Sequence, residues 1–358
     1  MRRNAKLWVV IFLLVSHSLF ASGAGAVDAV APENDEPWDA GAGFSFDAGT
    51  KKKEDKARRS ASGVACRGTI EDRRVCLVAF DEGVEARFIV VRRDAYEIDK
   101  DRVTLANGRE LDAEGAAADR KYYYVTGSHS RKRRNCEENR DSRQVIRFAF
   151  DPLTGKASRT SSGALDGYAA SDRLWPLLES LPEFREHVDK QACERSGSKE
   201  KGDVDIEGLA VADGRLYFGF RSPAKDRKAY VLSVTANALF GNGALEPAVT
   251  KIEVGEGRGV RDLQAVEDGF LVLAGPDDGT DNAGRGWVVG LWDRKKSEAA
   301  EFRKLARLDL TKVKLRECDK EIKLEALAVL EDDKDHYRIL ILSDGMCDGG
   351  PLTFRIPR

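Results

Sequence analysis

The chain has 358 residues, with 59 Lys and Arg against 61 Asp and Glu, a formal net charge of -2. Its 42% apolar fraction is enough to bury a core at this length, which excludes wholesale disorder. The near-balanced charge excludes a dedicated nucleic-acid binder, and the 33 glycines beside only four histidines suggest a turn-rich β protein with little imidazole chemistry.

The first 26 residues read as a signal peptide. Arg2, Arg3 and Lys6 precede an apolar run from Leu7 to Phe20, too short for a membrane span, and Ala24-Gly25-Ala26 fits a cleavage site. The expectation is an exported bacterial protein, periplasmic or secreted, with no membrane span in the mature chain. The six cysteines all lie beyond the cleavage site, and an even number in an exported chain points to disulfides.

Residues 27–61 read as a flexible tail. They contain Pro32, Pro37 and the charge run Lys51 to Lys56. Only Phe44-Ser45-Phe46 looks strand-like, and it is the candidate for a closing strand.

A repeat fills 62–358. Glu114-Gly115-Ala116-Ala117, Glu207-Gly208-Leu209-Ala210 and Glu325-Ala326-Leu327-Ala328 each open an apolar strand, followed by a tight turn and a second strand. In the fourth copy, Val260 to Val266 reads in the same phase with Gln264 in the acidic place. Residues 63–80 form a degenerate first copy. Asp213-Gly214 and Asp268-Gly269 are hairpin turns. Further strands follow each hairpin, so each copy is a four-stranded antiparallel unit. Such units in series indicate an all-β fold, a single β-propeller. Five repeats are visible and six are possible. Residues 162–203 read as a short helical insertion. One closed ring is expected to be a monomer.

In a propeller the first strand of each blade lines the central channel. Its start, and the residues just after the second strand, then gather at one mouth. This puts Glu114, Ser128, His129, Glu207, Arg221, Arg261, Asp277, Glu325 and Asp344 in one candidate ligand site. Glu114, Glu207 and Glu325 are the candidate ligands of a hard cation such as Ca²⁺; the alternative is structural, with these glutamates accepting from a neighbouring blade's backbone or pairing with Arg221, Arg258 and Arg261. His129 and Glu207 are the candidate catalytic pair, with His129 as base. Arg221 and the run Arg131 to Arg134 could hold a small or anionic ligand. The same geometry pairs Cys66 with Cys76 and Cys318 with Cys347, leaving Cys136 for Cys193.

The runs Asp112-Ala113-Glu114-Gly115-Ala116, Gly127-Ser128-His129 and Ile206-Glu207-Gly208-Leu209-Ala210, with Gly219-Phe220-Arg221-Ser222-Pro223, resemble the bacterial domain-of-unknown-function family 3616 over about 62–345. A more distant resemblance is to esterase-like phytase propellers, which share the E-G-[IL]-A hairpin. The first implies an exported propeller without an established activity; the second implies ester or phosphoester hydrolysis. Two readings follow. One is a ligand-binding propeller that uses one mouth of its channel. The other is a metal-assisted hydrolase, with Glu207 and Glu325 on the cation, His129 as base and Arg221 on the anion.

Overall fold

The computed structural model describes residues 27–67, 73–93, 95–195, 203–277, 286–293 and 302–358, so the expected leader at 1–26 lies outside the described residues. Five antiparallel sheets follow one another along the chain. Blade I is Ala61–Cys66, Arg73–Phe80, Glu85–Arg92 and Ala95–Thr104. Blade II is Ala113–Ala118, Tyr122–Gly127, Val145–Ala149 and Ala169–Ser171. Blade III is Asp205–Ala212, Arg215–Lys225, Lys228–Thr235 and Ala248–Ile252. Blade IV is Arg258–Val266, Gly269–Pro276, Val288–Trp292 and Phe302–Leu308. Blade V is Lys323–Asp332, His336–Asp344 and Leu352–Pro357.

The first strand of each blade packs against the first strand of the next, and that of blade V returns to blade I, so the ring closes with five blades. The segment 162–203 adds no further sheet among its described residues. It holds the fourth strand of blade II and two short helices, Leu174–Ser180 and Lys190–Arg195.

Strand periodicity explains the core. Successive side chains point to opposite faces, and both faces of a propeller blade are covered by neighbours. In Arg73–Phe80, Val75, Leu77 and Ala79 enter the core shared with blade II. Cys76, Val78 and Phe80 enter the core shared with blade V. The continuous apolar run therefore needs no polar alternation. Three further cores fill the other gaps between blades. The helix Leu174–Ser180, with Phe184 and Val188, covers the core between blades II and III.

The first strands approach one another closely, and glycine permits it. A Cβ on Gly115 would lie 2.9 Å from the Glu207 carbonyl oxygen and 2.8 Å from Leu209 Cβ, both on blade III. A Cβ on Gly63 would lie 2.8 Å from the Ala116 nitrogen on blade II. The glycine after the mouth residue thus sets the close spacing of blades I, II and III.

The N-terminal segment is not the loose tail expected of 27–61. Ala29–Val30 pairs in parallel with the outer strand of blade IV. Glu33 N–H then donates to Thr353 O and Trp38 N–H to Pro351 O, so residues 33–38 run beside the last strand of blade V. Residues 33–38 thus take the outer place beside the three strands of blade V. Phe44 to Phe46 is not the closing strand, because its backbone joins no ladder; Phe44 instead enters the core between blades V and I. Residues Lys51–Arg58 form a helix capped by Thr50. Arg58 binds Asp348 through two nitrogens, at 3.0 and 2.6 Å.

The three disulfides join Cys66 to Cys76, Cys136 to Cys193 and Cys318 to Cys347. This is the expected pairing, two bridges from the hairpins and Cys136–Cys193 as the remaining pair. No helix among the described residues is long and apolar enough to cross a membrane.

Candidate functional site: the acidic mouth of the channel

One irregularity recurs in all five inner strands. Each carries one extra residue relative to its partner, a β-bulge, near its start. The register passes from Ala113↔Gly127 to Gly115↔Thr126, leaving Glu114 as the extra residue. The same reading gives Ser62, Glu207, Arg261 and Glu325. A bulge re-aims its side chain. Repeated five times around a ring, it brings Ser62, Glu114, Glu207, Arg261 and Glu325 to equivalent places at the channel mouth.

This corrects the phase of the fourth repeat. Arg261, not Gln264, is the counterpart of the glutamates. Gln264 lies three residues deeper and accepts from Val329 N–H at 3.1 Å. The following Asp262 is structural. Its carboxylate accepts from Leu327 N–H of blade V at 2.7 Å and from Leu263 N–H at 2.8 Å.

The ring is a charge network out of water. Arg261 is 1% exposed, and its Nη1 lies 2.5 Å from Glu207 Oε2 and 3.3 Å from Glu325 Oε1. Ser62 Oγ lies 3.3 Å from Glu325 Oε2. Arg221 is itself the extra residue of its strand, opposite the Glu207 bulge. It pairs with Glu207 and, at 2.8 Å, with Asp205. Lys323 pairs with Asp344, just outside Glu325. Burial lowers the Arg261 guanidinium, but Glu207 and Glu325 more than reverse it, so the net shift is upward. Arg221 and Arg261 are therefore committed to carboxylates and not presented to an anion.

Carboxylate oxygens of Glu114, Glu207 and Glu325 come within 4.8 Å of one another. The expected trio is assembled, with two of its members held by Arg261. Glu114 differs. It is 3% exposed, and no hydrogen bond reaches its carboxylate among the described residues. Its second set of neighbours is Asp81 and Asp112, whose oxygens also lie within 4.8 Å of it and of each other. Asp112 accepts from Ser128 Oγ. Asp81 Oδ1 is buried without a partner. Burial, then the nearby charges of Glu207 and Asp112, hold the Glu114 carboxyl well above the usual range. Burial, then Asp344 and Asp112, do the same to Asp81.

These shifts carry a sign. A carboxyl raised in the folded state contributes stability below its unfolded value, about 4, and loses it as pH rises through the folded value. The Glu114→Gln variant has no such group. In chelator-treated buffer its melting temperature should gain on that of the wild type as pH rises from 5 to 8. A flat or falling difference would contradict the assignment. Comparing the two proteins cancels the opposite contribution of His129. Burial lowers that imidazole to about 4, so its stabilisation is present above about 6.5 and lost as pH falls toward 4.

His129 is not on the open face expected of it. It is fully enclosed, and its Nδ1 donates to Gly127 O at 2.9 Å. The extra turn of backbone that buries it has a left-handed φ of 57°. Asp277 follows the second strand of blade IV, with its N–H on Gly257 O at 3.2 Å. From the basic run, Arg133 keeps part of its surface in solvent, while its guanidinium is largely enclosed near the acidic groups. Burial lowers its guanidinium and the charges of Asp205, Glu114, Glu207 and Asp112 raise it, for a net upward shift. Asp81 and Ser62 were absent from the candidate residues. Asp81 stands just after the second strand of blade I, the place of Ser128 and Arg221, and that position was the available signal. Below the ring the channel narrows to about 100 Å³ between Ala65, Ala117, Ala210 and Gln264.

Comparison with known proteins gives fold-level likeness and one family. The chain resembles a GH43 β-1,3-galactosidase at 10% identity and TM-score 0.43, covering 93% of this chain and 60% of that one. It resembles a GH43 enzyme of a Bacteroides ovatus xyloglucan locus at 11% identity and TM-score 0.40, covering 84% of this chain and 53% of that one. The chain thus spans less than two thirds of the length of either. The Malassezia sympodialis allergen Mala s 1 is similar at 10% identity and TM-score 0.39, covering 83% and 78% of the two chains. No curated protein matches the sequence. The family described as "Protein of unknown function (DUF3616)" matches residues 71–160 and 151–349, and the chain belongs to it.

Proposed function

We propose that this protein is a ligand-binding propeller whose acidic channel mouth holds a positively charged ligand. The observation that supports this most is Glu114, a buried carboxylate without a donor in a ring whose arginines are already paired. A buried carboxylate without a partner is costly, and a bound cation removes that cost. The acidic groups at the mouth are Asp81, Asp112, Glu114, Asp205, Glu207, Glu325 and Asp344; the basic ones are Arg133, Arg221, Arg261 and Lys323. A small anion is the less suitable ligand, since Arg221 and Arg261 face carboxylates. The hydrolytic reading lacks its base, because His129 is enclosed. The three disulfides fit work outside the reducing cytoplasm, as an exported protein.

Thermal melting with a ligand panel tests the reading. Divalent cations or organic ammonium and guanidinium compounds should raise the melting temperature. A ligand at about 100 times its dissociation constant adds about 2.7 kcal/mol. Stabilisation by phosphate and carboxylate compounds alone would contradict it, as would no shift with any cation.

A further inference from the structure

The cations around the acidic mouth differ in how they are held. Arg261 pairs with Glu207 and Glu325, Arg221 with Asp205 and Glu207, Lys323 with Asp344 and Lys56 with Glu82. Arg133 is different. The charges of Asp205, Glu114, Glu207 and Asp112 act on its guanidinium, and Glu325 feels it in return. Yet among the described residues no hydrogen bond, and no ion pair within 4.0 Å, ties that guanidinium down. Its counterpart among the acids is Glu114, which is 3% exposed, lies within 4.8 Å of Glu207 and Glu325, and accepts no hydrogen bond among the described residues.

The backbone sets Arg133 over the mouth. Ser128 N–H donates to Asp112 O at 3.0 Å, and Ser128 O accepts at 2.8 Å from Ile206 N–H, one residue before Glu207. The loop that carries Arg133 therefore leaves blade II beside Glu207. Its base is closed by His129 N–H on Ser142 O and by Ser142 Oγ on Ser130 O. Its tip is a tight turn, with Cys136 N–H on Lys132 O at 2.9 Å. That tip is tied to the helical insertion by Cys136–Cys193 and by Arg131 Nε on Val188 O. The loop backbone is fixed at base and tip, but the Arg133 side chain is not.

We propose that the ligand of this mouth is a guanidinium group, borne by an arginine residue or by a free guanidinium compound, and that Arg133 occupies its place as a built-in competitor. The inference rests on the cation-binding reading above and names its ligand class. The ring is already built to take guanidinium groups, since Arg221 and Arg261 each bridge two carboxylates. A planar guanidinium presents a fork of directed donors to carboxylates, which an ammonium or a metal ion lacks. Glu114 supplies a further carboxylate. Arg133 brings the matching group on a tether but is held by charge alone, so an incoming guanidinium exchanges with it. A resident competitor lowers apparent affinity according to the fraction of molecules from which it has withdrawn.

Calorimetric titration of the purified protein with N-acetyl-arginine amide tests this. Arg133→Ala should bind the compound about tenfold more tightly than the wild type, the gain expected when the side chain is withdrawn in roughly a tenth of molecules. The gain with N-acetyl-lysine amide, of equal charge, should be clearly smaller, as should the gain with calcium. Adding Glu114→Gln should remove the arginine gain. Arg140→Ala is the control within the same loop, because Arg140 is exposed and pairs with Glu138; it should bind as the wild type does. Circular dichroism on each variant separates lost binding from lost fold. Methylguanidinium as a second probe distinguishes the sources: tighter binding of the amide indicates an arginine residue, equal binding a free compound. No gain in Arg133→Ala, or an equal gain for the arginine and lysine amides, would overturn the inference. If Arg133→Ala gains for calcium alone, this inference fails while the broader reading stands. If no cation of any kind binds either protein, both fail.

Discussion

Replacing Arg261 with leucine should lower stability by about 3–5 kcal/mol, the cost of leaving buried carboxylates without their cation. At this chain length that corresponds to a fall in melting temperature of roughly 4–7 °C. The reason is geometric. Arg261 is the one basic residue among the five bulge positions, and it stands against Glu207 and Glu325 where water does not compete. The opposing removal should then be benign. Adding Glu207→Gln and Glu325→Gln to Arg261→Leu should recover much of the loss, since removing both sides of a buried pair is far cheaper than removing one. A single variant that melts like the wild type would show that Arg261 does not hold the ring's charge.

The second large effect lies far from the mouth. Phe44→Ala should cost about 3–5 kcal/mol, the range for deleting a fully buried aromatic side chain. Phe44 is 2% exposed and meets the Phe80 ring edge-on at 5.1 Å. Its N–H donates to Asp348 Oδ1 at 2.8 Å, on the carboxylate that Arg58 also grips. The side chain thus fastens the N-terminal strap across the seam where the ring closes. Phe46→Ala is the control, because Phe46 is only partly buried and should cost clearly less. Urea unfolding measures both. A Phe44→Ala loss below that of Phe46→Ala would mean that the strap adds little to closure.

The fold was legible in the sequence to the extent that it repeats. Glu114-Gly115, Glu207-Gly208 and Glu325-Ala326 mark three inner strands directly, and the Cys66–Cys76 and Cys318–Cys347 pairs follow from hairpin geometry. The fourth copy was misphased for a physical reason. Val260-Arg261-Asp262-Leu263-Gln264 offers two acid-like residues, and alternation alone cannot tell which one occupies the bulge. Only the hydrogen-bond register places Arg261 there. Once in phase, the copy places Arg261 in the ring itself, against Glu207 and Glu325.

Other features depend on the path of the chain and carry no local signal. Residues 33–38 complete blade V through two backbone hydrogen bonds, which any sequence could make. A polar, proline-containing stretch of that kind reads as a tail until its partner strand is known. His129 looked exposed because Gly127-Ser128-His129-Ser130 has loop composition. The left-handed turn there sends the imidazole inward. The pairing of the glutamates with Arg221 and Arg261, by contrast, follows from placing them at one mouth, and the structure bears it out.

The claim at the centre of this account is that Glu114 marks a cation site and not an inert buried acid. The measurement that bears on it most directly is the melting panel carried out in parallel on the wild type and on Glu114→Gln, in chelator-treated buffer with calcium added back. The wild type should be stabilised by calcium, and Glu114→Gln should be insensitive to it while melting at or above the calcium-free wild type near pH 8. An equal calcium response in both proteins, or none in the wild type with any cation, would contradict the account.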